Sequence, residues 1–177
     1  MKSKKYVEWF YQKYPHPKDE WTSKKPEHIV LIELINKYKL KSVFEIGTWL
    51  GYATLLMWLH PNITNIKSID KDTNDFNEDK TTGVYCRKTN AKIKICNSRN
   101  YIIQDNENYD LVFIDGEHFY DDVKGDTEFA FKLNPKVIVW HDYIDSPYVK
   151  KYINELIERG KEIYTVKNVN IAYMILK

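Results

Sequence analysis

The stretch EIYTVKNVNIAYMIL, Glu162–Leu176, holds two short apolar runs, Glu162–Val166 and Ile171–Leu176. Only about four residues, centred on Asn168, separate them. A parallel crossover needs a dozen residues or more. The two runs therefore pair antiparallel or belong to different sheets. Everything upstream has the opposite character. Ser42–Gly47, Asn65–Asp70, Lys92–Cys96, Tyr109–Asp115 and Lys136–Trp140 read as strands spaced by helices or long connections. The apolar centre Leu111-Val112-Phe113-Ile114 is continuous, as expected of a strand covered on both faces. Repeated strand–helix–strand units demand a parallel sheet with right-handed crossovers.

The helices are read from their spacing and their ends. Pro26 opens one that carries Val30, Leu31, Leu34, Ile35 and Tyr38. Tyr52–Leu59 follows the first strand and is closed by Pro61. Residues 119–133 form the next. In the last, Ser146 caps, Pro147 takes the first position, Val149, Tyr152, Ile153, Leu156 and Ile157 make one face, and Gly160 stops it. Lys71–Asn90 is polar and turn-rich and reads as a long connection with at most a weak helix. The expected architecture is α/β: a Rossmann-like, seven-stranded, mostly parallel sheet with helices on both faces and an antiparallel C-terminal hairpin.

Composition narrows the function classes. The 177 residues suit one domain, 1–177, and 43% of them are apolar. Lys plus Arg is 27 against 25 for Asp plus Glu, which excludes a strongly basic nucleic-acid binder and a disordered acidic tail. Two cysteines, Cys86 and Cys96, are too few for a disulfide scaffold and read as inert free thiols. No apolar run approaches a membrane span, and no apolar stretch follows the basic N-terminus as in a signal peptide. A cytoplasmic protein is expected. Residues 1–25 carry seven Lys against three acids and the aromatics Tyr6, Trp9, Phe10, Tyr11, Tyr14 and Trp21. They read as a lid or an oligomer contact, or alternatively as a helix packed on the sheet.

Three blocks carry chemistry. EIGTWLG, Glu45–Gly51, ends the first strand and opens a helix. Glycines there let a ligand approach backbone N–H groups at a helix N-terminus. The spacing is neither that of dinucleotide sites nor that of a P-loop, which favours a ligand without phosphates. Asp70 ends the second strand, about 20 residues on, where a carboxylate can bind both hydroxyls of a ribose. The other blocks, Phe113–Tyr120 and Val139–Tyr143, bring Asp115, His118, His141 and Asp142 to the carboxyl edge of the sheet. Carboxylates and imidazoles at one rim suit Mg²⁺, or Mn²⁺ where His ligates, and equally suit general-base chemistry.

The chain resembles the class I S-adenosylmethionine-dependent methyltransferases, whose sheet has this arrangement, from about residue 20 to its end. EIGTWLG is similar to their glycine-rich first motif, and Asp70, in KSID, to their ribose-binding acid. The resemblance implies that the backbone around Gly47 and Glu45 holds the methionine part of the cofactor, that Thr48 and Gly51 belong to the same cofactor site, and that Asn97 and Ser98 lie near adenine. IDGEHFYDDVKGD followed by VIVWHDY resembles the branch that includes macrocin-type sugar O-methyltransferases. In its metal-binding members, acids at the positions of Asp115 and Asp142 are ligands, with His141 the third candidate here. The Asp/Asn-Pro-Pro-aromatic motif of DNA amino-methyltransferases is absent, which excludes a flipped-base substrate. The resulting expectation is O-methylation of a small-molecule or sugar hydroxyl, with His118 or His141 as base beside Asp115, in a possible homo-oligomer. The alternatives are a cofactor-binding protein without turnover and an N-methyltransferase acting on protein.

Overall fold

A computed structural model describes residues 2–71 and 82–176. In chain order the elements are α1 Ser3–Lys13, α2 Lys25–Lys37, β1 Ser42–Ile46, α3 Tyr52–Trp58, β2 Asn65–Asp70, β3 Lys92–Ile95, β4 Leu111–Ile114, α4 Tyr120–Lys132, β5 Val137–His141, α5 Pro147–Glu158, β6 Ile163–Thr165 and β7 Ile171–Ile175. The strands form one sheet in the order β3-β2-β1-β4-β5-β7-β6. The first five are parallel, and β7 pairs antiparallel with both β5 and β6. Half of the expected long connection, residues 72–81, lies outside the described residues; its later part holds a 3₁₀ turn, Val84–Cys86.

Strand alternation assigns the two cores. Val43, Leu111, Phe113, Val137 and Val139 face one side and pack with α1, α2 and α3. Phe44, Val112, Ile114, Ile138 and Trp140 face the other, with α4 and α5. Because the period is two, the continuous apolar run of β4 feeds both layers. Trp140 is fully buried without an orphaned polar atom: its indole N–H donates to Thr127 Oγ1 at 2.8 Å, and that hydroxyl donates to the Val123 carbonyl at 2.7 Å.

The N-terminal aromatics divide. Tyr6, Val7 and Phe10 lie in the core, with Tyr6 Oη donating to the Leu56 carbonyl at 2.8 Å. α1 is thus a helix packed against α2 and α3. Trp21 is different: it is 70% exposed and stands over the carboxyl edge of the sheet. Among the described residues, no helix is long and apolar enough to cross a membrane.

Candidate active site

Strand order reverses between β1 and β4, and the chain leaves their carboxyl ends for helices on opposite faces, α3 and α4, which is where α/β sheets bind ligands. The Gly47–Gly51 loop crosses this point with positive φ at Gly47, Trp49 and Gly51. A Cβ on Gly47 would lie 1.9 Å from the Asp115 carbonyl oxygen and 2.7 Å from Gly116 N. Glycine is required here by the approach of the β1 and β4 ends. A Cβ on Gly51 would meet Gly83 Cα at 3.0 Å and Cys86 Sγ at 3.1 Å, so this glycine admits the 3₁₀ turn.

Asp70 secures the loop. Its Oδ2 accepts from the N–H groups of Thr48 at 2.9 Å and Trp49 at 2.8 Å. Beneath, Ser68 Oγ donates to Glu45 Oε2 at 2.5 Å, Thr54 Oγ1 donates to the same oxygen, and Thr48 Oγ1 lies 2.6 Å from Ser68 Oγ. Burial pushes Glu45 up to about 8, against the pull of these hydroxyls. Glu45, Thr48 and Gly51 therefore support the loop from behind. Gly47, Asp70, Asn97 and Ser98, by contrast, line a cavity of about 630 Å³.

One end of that cavity has a group the sequence did not single out. Asp126 on α4 is 5% exposed, and its Oδ1 accepts from Ser98 Oγ. Burial pushes its carboxyl up to about 6, with the Ser98 bond opposing. The signal was an acid in phase with Val123, Thr127 and Ala130 on the buried helix face. The neighbouring Asp122 pairs with Arg99 at 2.8 Å, as a solvated helix start would.

At the other end the two strand-end blocks meet. His118 Nε2 is 2.7 Å from Asp142 Oδ2. His141 Nδ1 is 2.8 Å from Asp115 Oδ1 and 3.2 Å from Asp142 Oδ2. Asp142 adopts φ 57°, which Asp tolerates, and its Oδ1 accepts from Asn170 Nδ2 at 2.6 Å. Glu27 of α2, missed in the sequence, is 6% exposed with Oε2 3.4 Å from His141 Nε2. It is in phase with Val30, Leu31 and Leu34, the only hint the sequence offers of its burial. Glu27, His118, His141 and Asp142 border a second cavity of about 230 Å³, whose lining also includes Glu20 to Lys24, while Asp115 lines the larger one. Trp21 borders both cavities.

The charges are set by contact. Asp142 beside His118 raises that imidazole's pKa against the effect of burial. Burial disfavours charge on His141, yet Asp115, Asp142 and Glu27 hold its pKa well above the ordinary value. Burial would raise Asp142, but His118 and His141 bring it well below the usual carboxylate range. Asp115 is raised by burial. His118 Nε2 and both nitrogens of His141 make no hydrogen bond among the described residues, despite these short contacts. Ligand atoms of Asp115, His118 and Asp142 all lie within 4.8 Å of one another. Oxygen and imidazole donors so gathered, with an imidazole nitrogen left unbonded, fit Mg²⁺ or Mn²⁺. The structure puts His118 in this group where the sequence put His141.

A family model described as a methyltransferase domain matches residues 44–143, from β1 to just past β5. The chain belongs to this family of methyltransferase domains. Its match spans the loop, Asp70 and both strand-end blocks. No curated protein matches the sequence. Among solved structures, the methyltransferase PaMTH1 of Podospora anserina, bound to SAH, superposes with a TM-score of 0.69 at 15% identity, over 99% of this chain and 87% of that one. The O-methyltransferase TomG of Streptomyces achromogenes, involved in tomaymycin synthesis and in complex with SAM, gives 0.66 at 15%, over 100% and 91%. MycE from the mycinamycin biosynthetic pathway, in complex with Mg and SAH, gives 0.67 at 15%, over 96% and 54%. At such identities the likeness is one of fold, and that fold is the class I methyltransferase sheet.

Proposed function

We propose that the protein transfers the methyl group of S-adenosylmethionine to a hydroxyl of a small molecule, a sugar among the candidates. The observation that carries this reading is a cavity lined by Gly47 and Asp70 and equally by Asp115 and His118, with Asp142 paired to His118. The larger cavity has the size of a small-molecule site. The cofactor supplies an electrophilic methyl on a sulfonium. Asp70 would take the ribose hydroxyls, with Asn97 and Ser98 beside the adenine. The protein must then align the acceptor oxygen and remove one proton. His118 would accept that proton, and Asp142, 2.7 Å from its Nε2, would stabilise the imidazolium. His141, 7% exposed and enclosed by three carboxylates, orients Asp115 and Asp142.

Asp115, His118 and Asp142 would also hold a divalent cation, which would supply a lowered hydroxyl pKa and a fixed acceptor orientation. In that case His118 is a ligand and not the base. The two uses separate in one experiment. Calorimetry with S-adenosylhomocysteine should show binding, and Asp70→Ala should weaken it by roughly 1–3 kcal/mol, the scale of charge-assisted hydrogen bonds. Methyl transfer to a panel of hydroxyl compounds is then followed with chelator and with added Mg²⁺. Loss with chelator and recovery with Mg²⁺ selects the cation; indifference to both, with loss in His118→Ala, selects the base. A folded protein that does not bind S-adenosylhomocysteine ends the reading.

A further inference from the structure

The smaller cavity holds His118 and Asp142, so the methyl-transfer reading puts the acceptor there, and it owes one wall to the loop joining α1 and α2. Trp21 borders both cavities from this loop, and Glu20, Thr22, Ser23 and Lys24 border the smaller one. The loop is tied at several points. Tyr52 Oη donates to the Tyr14 carbonyl at 2.6 Å. Asp19 Oδ1 accepts from the N–H groups of Trp21 at 2.9 Å and Thr22 at 2.7 Å. His28 Nε2 lies 2.9 Å from Ser23 Oγ, and its Nδ1 lies 2.8 Å from Tyr11 Oη. His16 closes the loop on itself: Nδ1 is 2.8 Å from the Pro17 carbonyl and Nε2 is 3.0 Å from the Ser23 carbonyl.

Carbonyl oxygens only accept, and a neutral imidazole has one N–H. Both bonds exist together only if His16 carries protons on both nitrogens. We propose that His16, as an imidazolium, is the positioning residue that holds the Trp21 loop as the wall of the acceptor cavity. This rests on the methyl-transfer reading only for what the wall faces, not for the clamp itself.

The surrounding groups leave the response to His16. From α1, Tyr11 stacks on it at 5.6 Å; from α3, Tyr52 meets it at 5.1 Å; from α2, His28 lies at 6.5 Å. Burial keeps both phenols protonated. Burial pushes His28 down to about 3, so it stays neutral near pH 7. One proton suffices for His28, because Tyr11 donates to Nδ1 and Nε2–H donates to Ser23. The charges nearby are Lys25 over the Tyr11 ring at 5.7 Å, Glu27 acting on Tyr11, and Asp19 in the loop. Raising the pH therefore removes one of the two His16 bonds and loosens the wall, while the His28 tie persists.

The test uses the whole protein. Ring ¹⁵N spectra should show His16 with both nitrogens protonated at pH 6 and one at pH 8.5. Amide exchange over residues 18–24, corrected for intrinsic rates, should lose about fivefold protection over the same interval, the equilibrium worth of one net hydrogen bond. H16Q should show the lower protection at both pH values. A single protonated nitrogen at pH 6, or loop protection unchanged by pH and by H16Q, overturns the proposal. Titration with S-adenosylhomocysteine on the same samples tests the functional reading separately. Failure there, with the pH response intact, leaves the clamp standing and removes only the acceptor from the space it bounds.

Discussion

Glu45 is 1% exposed, and its two hydrogen-bonding partners, Thr54 and Ser68, donate to the same oxygen. Burial outweighs both and lifts the carboxyl from 4.5 up to about 8, so the folded protein holds a proton that the unfolded chain releases. Stability from this group is therefore present below the ordinary carboxyl value and is lost as pH rises from about 4.5 through about 8. Glu45→Gln keeps a neutral side chain of the same shape. It should flatten that fall and exceed the wild type at pH 9 by roughly 1–3 kcal/mol, read from thermal melts across pH. Parallel pH slopes for the two proteins would show that Glu45 is ionised in the fold. The sequence placed Glu45 at the right strand end, and the structure adds that its side chain supports the loop from behind. Which face of β1 carries the acid depends on the layer packed against it, and Val-Phe-Glu-Ile has no polar–apolar alternation to disclose that. Asp70 was legible because it is the last residue of its strand, where the chain leaves the sheet towards the crevice.

At the scale of elements, the strands and α5 were legible to within a residue or two, because their signals are local: apolar runs, a Ser-Pro start, a Gly stop. Ser146 does cap α5, accepting from Val149 N at 3.3 Å. α1 was ambiguous because aromatics fall on several sides of its wheel, and only packing sorts them. Phe10 is fully buried against Tyr14 and Tyr52, whereas Trp9 is 38% exposed. Phe10→Ala should cost about 3–5 kcal/mol, the range for a large aromatic removed from a core, while Trp9→Ala should cost well under half as much. Denaturant melts compare the two. Equal and small losses would mean that α1 is a detachable lid. Glu27 and Asp126 were the residues least visible beforehand. Each is an acid on a buried helix face, and its purpose depends on what the sheet presents opposite.

The sheet order sets what the whole molecule can do. Asp115 and His141 are 26 positions apart in sequence and meet because β4 and β5 are parallel neighbours that end together. The same order leaves β3 and β6 at the edges, each with one neighbour. β4 lies between β1 and β5 with no residue more than 4% exposed, while Ile95 on β3 is 46% exposed. Opening β3 breaks one ladder and uncovers little apolar surface, whereas opening β4 breaks two and uncovers both cores. Native-state exchange should therefore find amides of Phe113 and Val139 released only by global unfolding, and those of Lys92–Ile95 released at a cost at least about 2 kcal/mol lower. β3 leads directly into Asn97 and Ser98 on the cavity wall. A ligand held there binds the closed edge and not the opened one, so its binding energy adds to the cost of opening. S-adenosylhomocysteine should then raise the opening free energy at Ile95–Ser98 with the logarithm of one plus the ratio of its free concentration to Kd, rising still beyond saturation. Amides that report only global unfolding should rise by no more than the same free energy. Protection that rises in β6 but not in β3 would put the cofactor at the opposite end of the sheet.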